Sequence, residues 1–128
     1  MTETVQELLT AALLLLGGGL MLIAALGLYR LPDLLTRMHA TTKAGALGAA
    51  LTLAAVAVHF ADGSVTARAV AAIIFIVLTA PVAAHVIGRA GYFVGVPLWD
   101  GTMRDELRHH YDPETHTLRS GLEDRDER

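Results

Sequence analysis

Arg30, Asp33, Arg37, His39 and Lys43, with Pro32 among them, crowd into the stretch Tyr29–Lys43. Asp33 follows Arg30 by three residues and precedes Arg37 by four, so an ion pair with either arginine is expected. Two readings of the carboxylate stay open. Either it caps a helix start and sits in a solvated pair at the lipid headgroups, or it gathers cations at the mouth of a transport path. Arg37 and Lys43 divide the same way, between anchors on lipid phosphate and path residues. The second place with chemistry is His85, four residues after Pro81. Proline removes a backbone donor and kinks a helix. An imidazole there can relay a proton near neutral pH or, uncharged, hydrogen-bond to a neighbouring helix. His39 reads as interfacial. His109, His110 and His116 stand in a polar tail at a spacing that carries little metal signal. There is no Cys, Ser-His-Asp set, phosphate loop or repeated His/Glu spacing, so no catalytic residue, metal or cofactor is expected and the chain is not read as an enzyme.

The elements that must position these groups are apolar. Leu8–Leu28, Ala44–Phe60 and Ala69–Gly88 are uncharged runs, and a helix of about 20 apolar residues spans a bilayer core. Three such runs in 128 residues leave little chain for a soluble domain. A secretory signal is the rival reading of the first run, but it lacks a basic start and the run is too long. The expected architecture is an all-α integral membrane protein: three transmembrane helices within residues 1–92, then a short polar tail over 93–128, partly disordered. Pro32-Asp33 breaks the first helix, and Asp33 is expected to cap a second running from Leu34 to Phe60. At 1.5 Å per residue that helix is about 40 Å long, more than a ~30 Å hydrocarbon core, so its first turns lie in the headgroup layer. Asp62-Gly63-Ser64 reads as the next turn, with Ser64 or Thr66 as the cap of the third helix.

Charge sets the orientation. The first loop holds Arg30, Arg37 and Lys43, and the start of the tail Arg89, Arg104 and Arg108; the N-terminal segment has no Lys or Arg and the second loop only Arg68. Positive residues stay inside, so the N-terminus is expected outside and the tail in the cytoplasm, with Tyr29, Tyr92, Phe93 and Trp99 at the inner interface. After Gly88 there are six basic and nine acidic residues; this acidic balance argues against nucleic acid as a partner. Small residues recur on the helices: Gly17-Gly18-Gly19 in the first, Ala44, Gly45, Gly48 and Ala49 in the second, Ala80, Ala84 and Gly88 in the third. Such spacing lets helix backbones approach closely. Gly45, Gly48, Ala80, Ala84 and Gly88 are therefore candidate packing positions, either within the three-helix unit or, the sharper expectation, against helices of other chains. None of the three runs contains Asp or Glu, so the chain lacks the intramembrane acid a stand-alone cation/proton exchanger uses.

Gly27–Lys43 with the following Ala44-Gly-Ala-Leu-Gly48, and Leu78–Tyr92 with its proline and histidine, resemble the G subunit of Mrp-type (Mnh or Pha) multisubunit Na+/H+ antiporters. The resemblance covers roughly residues 8–92; Met38 and Gly91 depart from the pattern, standing where Leu and Ala are expected. It implies a three-helix accessory subunit of a bacterial inner-membrane complex that exchanges Na+ for H+ and supports tolerance to salt and alkaline pH. It further implies partners among the other small subunits and the C-terminal part of the largest subunit, besides membrane lipid. Arg30, Pro32, Asp33, Arg37, His39, Lys43, Pro81 and His85 match motif positions, as residues of an interface or of the cation path. A holin-like self-assembling pore and a small multidrug exporter are the alternatives.

Overall fold

A computed structural model of the chain describes residues 2–102, 105, 107, 110–112, 115, 117 and 118. Helix α1 runs Thr2–Arg30, α2 Leu34–Ala40, a π-helical turn Thr41–Gly45, α3 Ala46–Phe60 and α4 Gly63–Phe93. Three continuous helical rods result, Glu3–Arg30, Leu34–Phe60 and Gly63–Phe93, each long and apolar enough to cross a membrane. The rods are longer than the uncharged runs because the helices continue through the polar residues that flank those runs.

Local chemistry explains the boundaries. Pro32 has no N–H to continue α1, and the last bond of that helix runs from the Leu31 amide to the Gly27 carbonyl at 2.9 Å. The Leu34–Phe60 rod starts at Asp33 as expected. Its π-turn was not expected. There Thr41 Oγ1 donates to the carbonyls of Arg37 and Met38 at 3.1 and 3.0 Å, and Thr42 Oγ1 to that of Met38 at 2.6 Å. Hydroxyls that bond back to the preceding turn compete with the main-chain ladder and loosen it. At the other end α3 stops on Ala61, in the left-handed region at φ 45°. The cap of α4 is Asp62, not Ser64 or Thr66: its Oδ1 accepts from the amides of Ser64 and Val65 at 2.9 and 3.0 Å and from the Ser64 hydroxyl at 2.6 Å. One carboxylate reaches donors that neither hydroxyl could serve together.

The rods form a layer. α1 packs on α3 and α3 on α4, while among the described residues no Cα of α1 lies within 8 Å of one of α4. Such an order suits α3, which carries Ala or Gly around most of its circumference and accepts a close neighbour on two sides. The buried apolar residues are small: Gly17, Ala24, Gly48, Ala55, Ala69, Gly88 and Gly91. Large side chains such as Leu15, Leu22, Phe75, Leu78 and Val82 point outward.

Beyond α4 the chain turns at Val94–Gly95, with Gly95 at φ 77°, and packs back on the helix end. The Val96 amide donates to the Gly91 carbonyl at 3.0 Å. Tyr111 stacks on Phe93 at 4.8 Å and meets Tyr92 edge-on at 5.9 Å. A two-residue antiparallel ladder, β1 Tyr111–Asp112 with β2 Thr117–Leu118, is a small addition to an otherwise helical fold.

Candidate functional site

Asp33 is the centre of the polar end of the layer. It is only 9% exposed and extended, at φ −123° and ψ 164°, which aims its side chain back at the first turn of α2. Oδ1 accepts from the Thr36 amide at 2.9 Å and from the Thr36 hydroxyl. The hydroxyl first, then the amide, hold the carboxyl below the usual carboxylate range; burial opposes them, and the Trp99 main-chain amide adds a smaller pull in the same direction. The expected ion pair does not form. Arg37 instead turns its Nε to the Leu31 carbonyl at 2.8 Å, closing the loop that Pro32 opens. Arg30, Pro32, His39 and Lys43 are exposed and supply no donor to the carboxylate.

The end of α4 covers this corner. A Cβ on Gly88 would lie 2.8 Å from Met38 Cε and 3.3 Å from Leu35 Cδ2, and one on Gly91 would collide with Leu34 Cδ2. Lacking side chains, both glycines let α2 lie against the last turns of α4. Leu34, Leu35, Tyr92, Val96, Pro97 and Leu98 enclose the narrow cleft that remains. Two aids to this corner escaped the sequence reading: Thr36, and the return of the tail that brings Trp99 to Asp33 and hydrogen-bonds Tyr92 Oη to Asp105 Oδ1 at 3.0 Å. A Ser/Thr three residues after a cap is a readable signal; a tail contact is not.

The packing positions turn inward. A Cβ on Gly48 would stand 2.7 Å from the Gly17 carbonyl oxygen and from Met21 Cγ, both on α1, and one on Gly45 would be 3.7 Å from Ala24 Cβ. Gly48 and Gly88 are buried, and Gly45, Ala80 and Ala84 half-buried, in the isolated chain. Gly48 thus meets the α1 backbone and Gly88 the side chains of Met38 and Leu35, so at these two positions the close neighbour belongs to the same chain.

Pro81 sits inside α4, which passes through it unbroken. Pro81 and His85 are both exposed on the side away from α2 and α3. Within the described residues no other helix of this chain offers the imidazole a hydrogen bond, so a neighbouring helix that bonds to it would belong to another chain. At the opposite end of the layer, which sequence reading passed over, Gln6 Nε2 of α1 donates to the carbonyls of Val58 and His59 at 2.7 and 2.9 Å, tying down the last turn of α3. The His110 amide donates to the Leu107 carbonyl at 3.0 Å; His109 and His116 lie outside the described residues. Among the described residues, no group of three or more His, Asp or Glu could hold a metal.

Three helices each long and apolar enough to cross a membrane define a multi-pass membrane protein. Residues 13–92 match the family PhaG_MnhG_YufB, described as Na+/H+ antiporter subunit, and the chain belongs to that family. It is similar to the Na(+)/H(+) antiporter G subunit of Alkalihalophilus pseudofirmus, 37% identical over 111 residues that cover 85% of this chain and 93% of the relative. Its fold is similar to a chain of the Mrp complex from Dietzia sp. DQ12-45-1b, with TM-score 0.77, 27% identity, and coverage of 81% of this chain and 94% of the other. It is also similar to a chain of an archaeal respiratory membrane complex, the membrane-bound sulfane sulfur reductase, with TM-score 0.72, 33% identity and coverage of 80% and 96%. These relatives favour neither the self-assembling pore nor the multidrug exporter.

Proposed function

We propose that the chain is a scaffold subunit of a monovalent cation/proton antiporter in a bacterial inner membrane, assembled with the other small subunits and the C-terminal part of the largest one. In this reading the complex carries out Na+ efflux coupled to H+ entry and so supports pH homeostasis. The observation that carries it is the family match over 13–92 on a layer whose broad faces remain open. An antiporter complex and a respiratory complex hold chains of this fold; this supports a contribution that both kinds of assembly need, such as seating other helices. None of the three uncharged runs holds an acid, so the ionisable relay is assigned to partner subunits. The N-terminus lies outside and the tail inside, a reading supported by the basic first loop.

The residues divide accordingly. Asp33, Thr36, Arg37 and Pro32 shape the loop, and Arg30, His39 and Lys43 are left for headgroups or partner chains. The cation-gathering reading of Asp33 loses ground to the cap, because its carboxylate is nearly buried and already accepts donors from Thr36. Affinity purification of the tagged chain from its native membrane should bring the remaining subunits with it. Everted vesicles from cells lacking the chain should lose Na+-dependent collapse of a pH gradient and regain it when the chain is supplied. Recovery of the chain alone, with membrane leak on its expression alone, would overturn the reading.

A further inference from the structure

α4 carries a polar group on the side that its own chain leaves bare. His85 shares the outward face with Phe75, Leu78, Val82 and Arg89, and Phe75, Leu78 and Val82 are 66%, 65% and 63% exposed. The inward face of α4, with Ala69, Ala84, Gly88 and Gly91, is the one that α2 and α3 occupy. Among the described residues, no hydrogen bond, ion pair or ring contact reaches the imidazole.

His85 lies within the uncharged run Ala69–Gly88, three residues from its end. His85 stands eight residues before Phe93, the last residue of the helix, about 12 Å along the axis at 1.5 Å per residue. Arg89, one turn nearer that end, has a long stem and places its guanidinium over the Phe93 ring, 5.0 Å from the centroid, as a side chain reaching toward an interface does. Imidazole has no such reach. Lipid tails offer neither donor nor acceptor, and ionisable groups inside a span face protein or a wet cavity.

We propose that the outward face of α4 between Phe75 and Arg89 seats a transmembrane helix of another subunit, and that this helix presents a carboxylate to His85. A carboxylate accepts from the imidazole N–H and also balances the Arg89 charge one turn away; a hydroxyl would answer only the first. Solved chains of this fold belong to membrane complexes, so a source of such a helix exists. The proposal rests on the reading of the chain as a subunit of an assembly.

The test uses the intact complex in native membranes. A photoreactive side chain at Val82 should give an adduct with one other subunit, and the linked peptide should contain Asp or Glu. Recovery of the chain with the complex should fall at least fivefold for His85→Leu and at least tenfold for His85→Asp, and stay within about twofold for His85→Lys, which keeps an N–H donor. Equal losses for Asp and Lys would overturn the carboxylate. Adducts with lipid only, or normal recovery of His85→Leu, would overturn the docking face. Failure of the wild-type chain to co-purify with any subunit would instead sink the assembly reading beneath it.

Discussion

The seam between α1 and α3 makes a prediction that separates three adjacent glycines. A Cβ on Gly17 would stand 2.7 Å from Thr52 Oγ1 and 2.8 Å from the Gly48 carbonyl oxygen, whereas Gly18 and Gly19 have nothing within 4 Å. Bringing the Gly17 contact out to ordinary van der Waals distance requires the helices to part by about 0.6 Å, since backbone cannot swing aside as a flexible side chain does. Overpacking of this kind costs about 1–3 kcal/mol. Gly18→Ala and Gly19→Ala carry no such penalty within the chain, and alanine favours a helix by about 1 kcal/mol over glycine. A disulfide trap reads the difference in the membrane. Ala24 Cβ and a Cβ built on Gly45 are 3.7 Å apart, close to the ~3.8 Å that a disulfide needs, and the chain has no native Cys. Ala24→Cys with Gly45→Cys should oxidise readily and hold the tryptic fragments on either side of Arg37 together. Adding Gly17→Ala should slow that oxidation roughly 5- to 150-fold, the equivalent of 1–3 kcal/mol, and adding Gly18→Ala should leave it unchanged. Equal effects of the two alanines, or no trapping of the parent pair, would refute the assigned seam.

Four further outcomes follow from other parts of the layer. Asp33→Ala should destabilise the start of α2 by about 1 kcal/mol, and Asp33→Asn by much less, because Asn also caps well; faster tryptic cleavage at Arg37 in Ala than in Asn would show it. The Asp33 pKa is lowered in the fold, so its contribution is fully present above the unfolded carboxylate value of about 3.9 and is lost as pH falls through the folded value; an Asp33 contribution to thermal stability that changes between about pH 6 and 8 would contradict this. Ala61→Gly should stabilise the α3–α4 turn by about 1 kcal/mol, since glycine takes the left-handed conformation at little cost, raising the melting temperature of the detergent-solubilised protein. A membrane-impermeant thiol reagent should label Glu3→Cys and Ser64→Cys in intact cells but not His39→Cys or His110→Cys; the inverse pattern would reverse the orientation.

What was readable in the sequence was local. Three spans, the break at Pro32 and the cap at Asp33 depend on residues within a few positions of one another, and the structure has them where expected. Readings that failed needed a direction in space. The spacing of Arg30, Asp33 and Arg37 brought the charges near each other, but it could not show that Arg37 would take a main-chain carbonyl exposed by the proline turn. Asp62 and Ser64 are both good caps by type, and only the geometry of the turn decides between them. The glycine stripes marked a close approach without naming whose backbone approaches. α1 is apolar around its whole circumference, so no periodic signal marked its inner face or foretold that α1 and α4 would stay apart.

That separation bears on how the layer is held. Lipid tails are as apolar as leucine, so hydrophobic burial does little to close α1 onto α4, and association falls to close packing and polar contacts. The close packing is spent at two seams, Gly17 with Gly48 and Gly88 with Met38 and Leu35, both made through α3 or the turns that lead into it. Polar contacts pin the ends: Gln6 on the last carbonyls of α3 and the Asp33 corner under the tail. Neither device joins α1 to α4, and the outer surfaces of both present mainly Leu, Val, Ile and Phe. Gly18 and Gly19 on α1 and His85 on α4 interrupt those surfaces, and among the described residues nothing fills the notch or answers the imidazole. A layer built this way is held in register along α3 and leaves the outer flanks of α1 and α4 uncovered by its own described residues, unlike a bundle whose helices all close on one another.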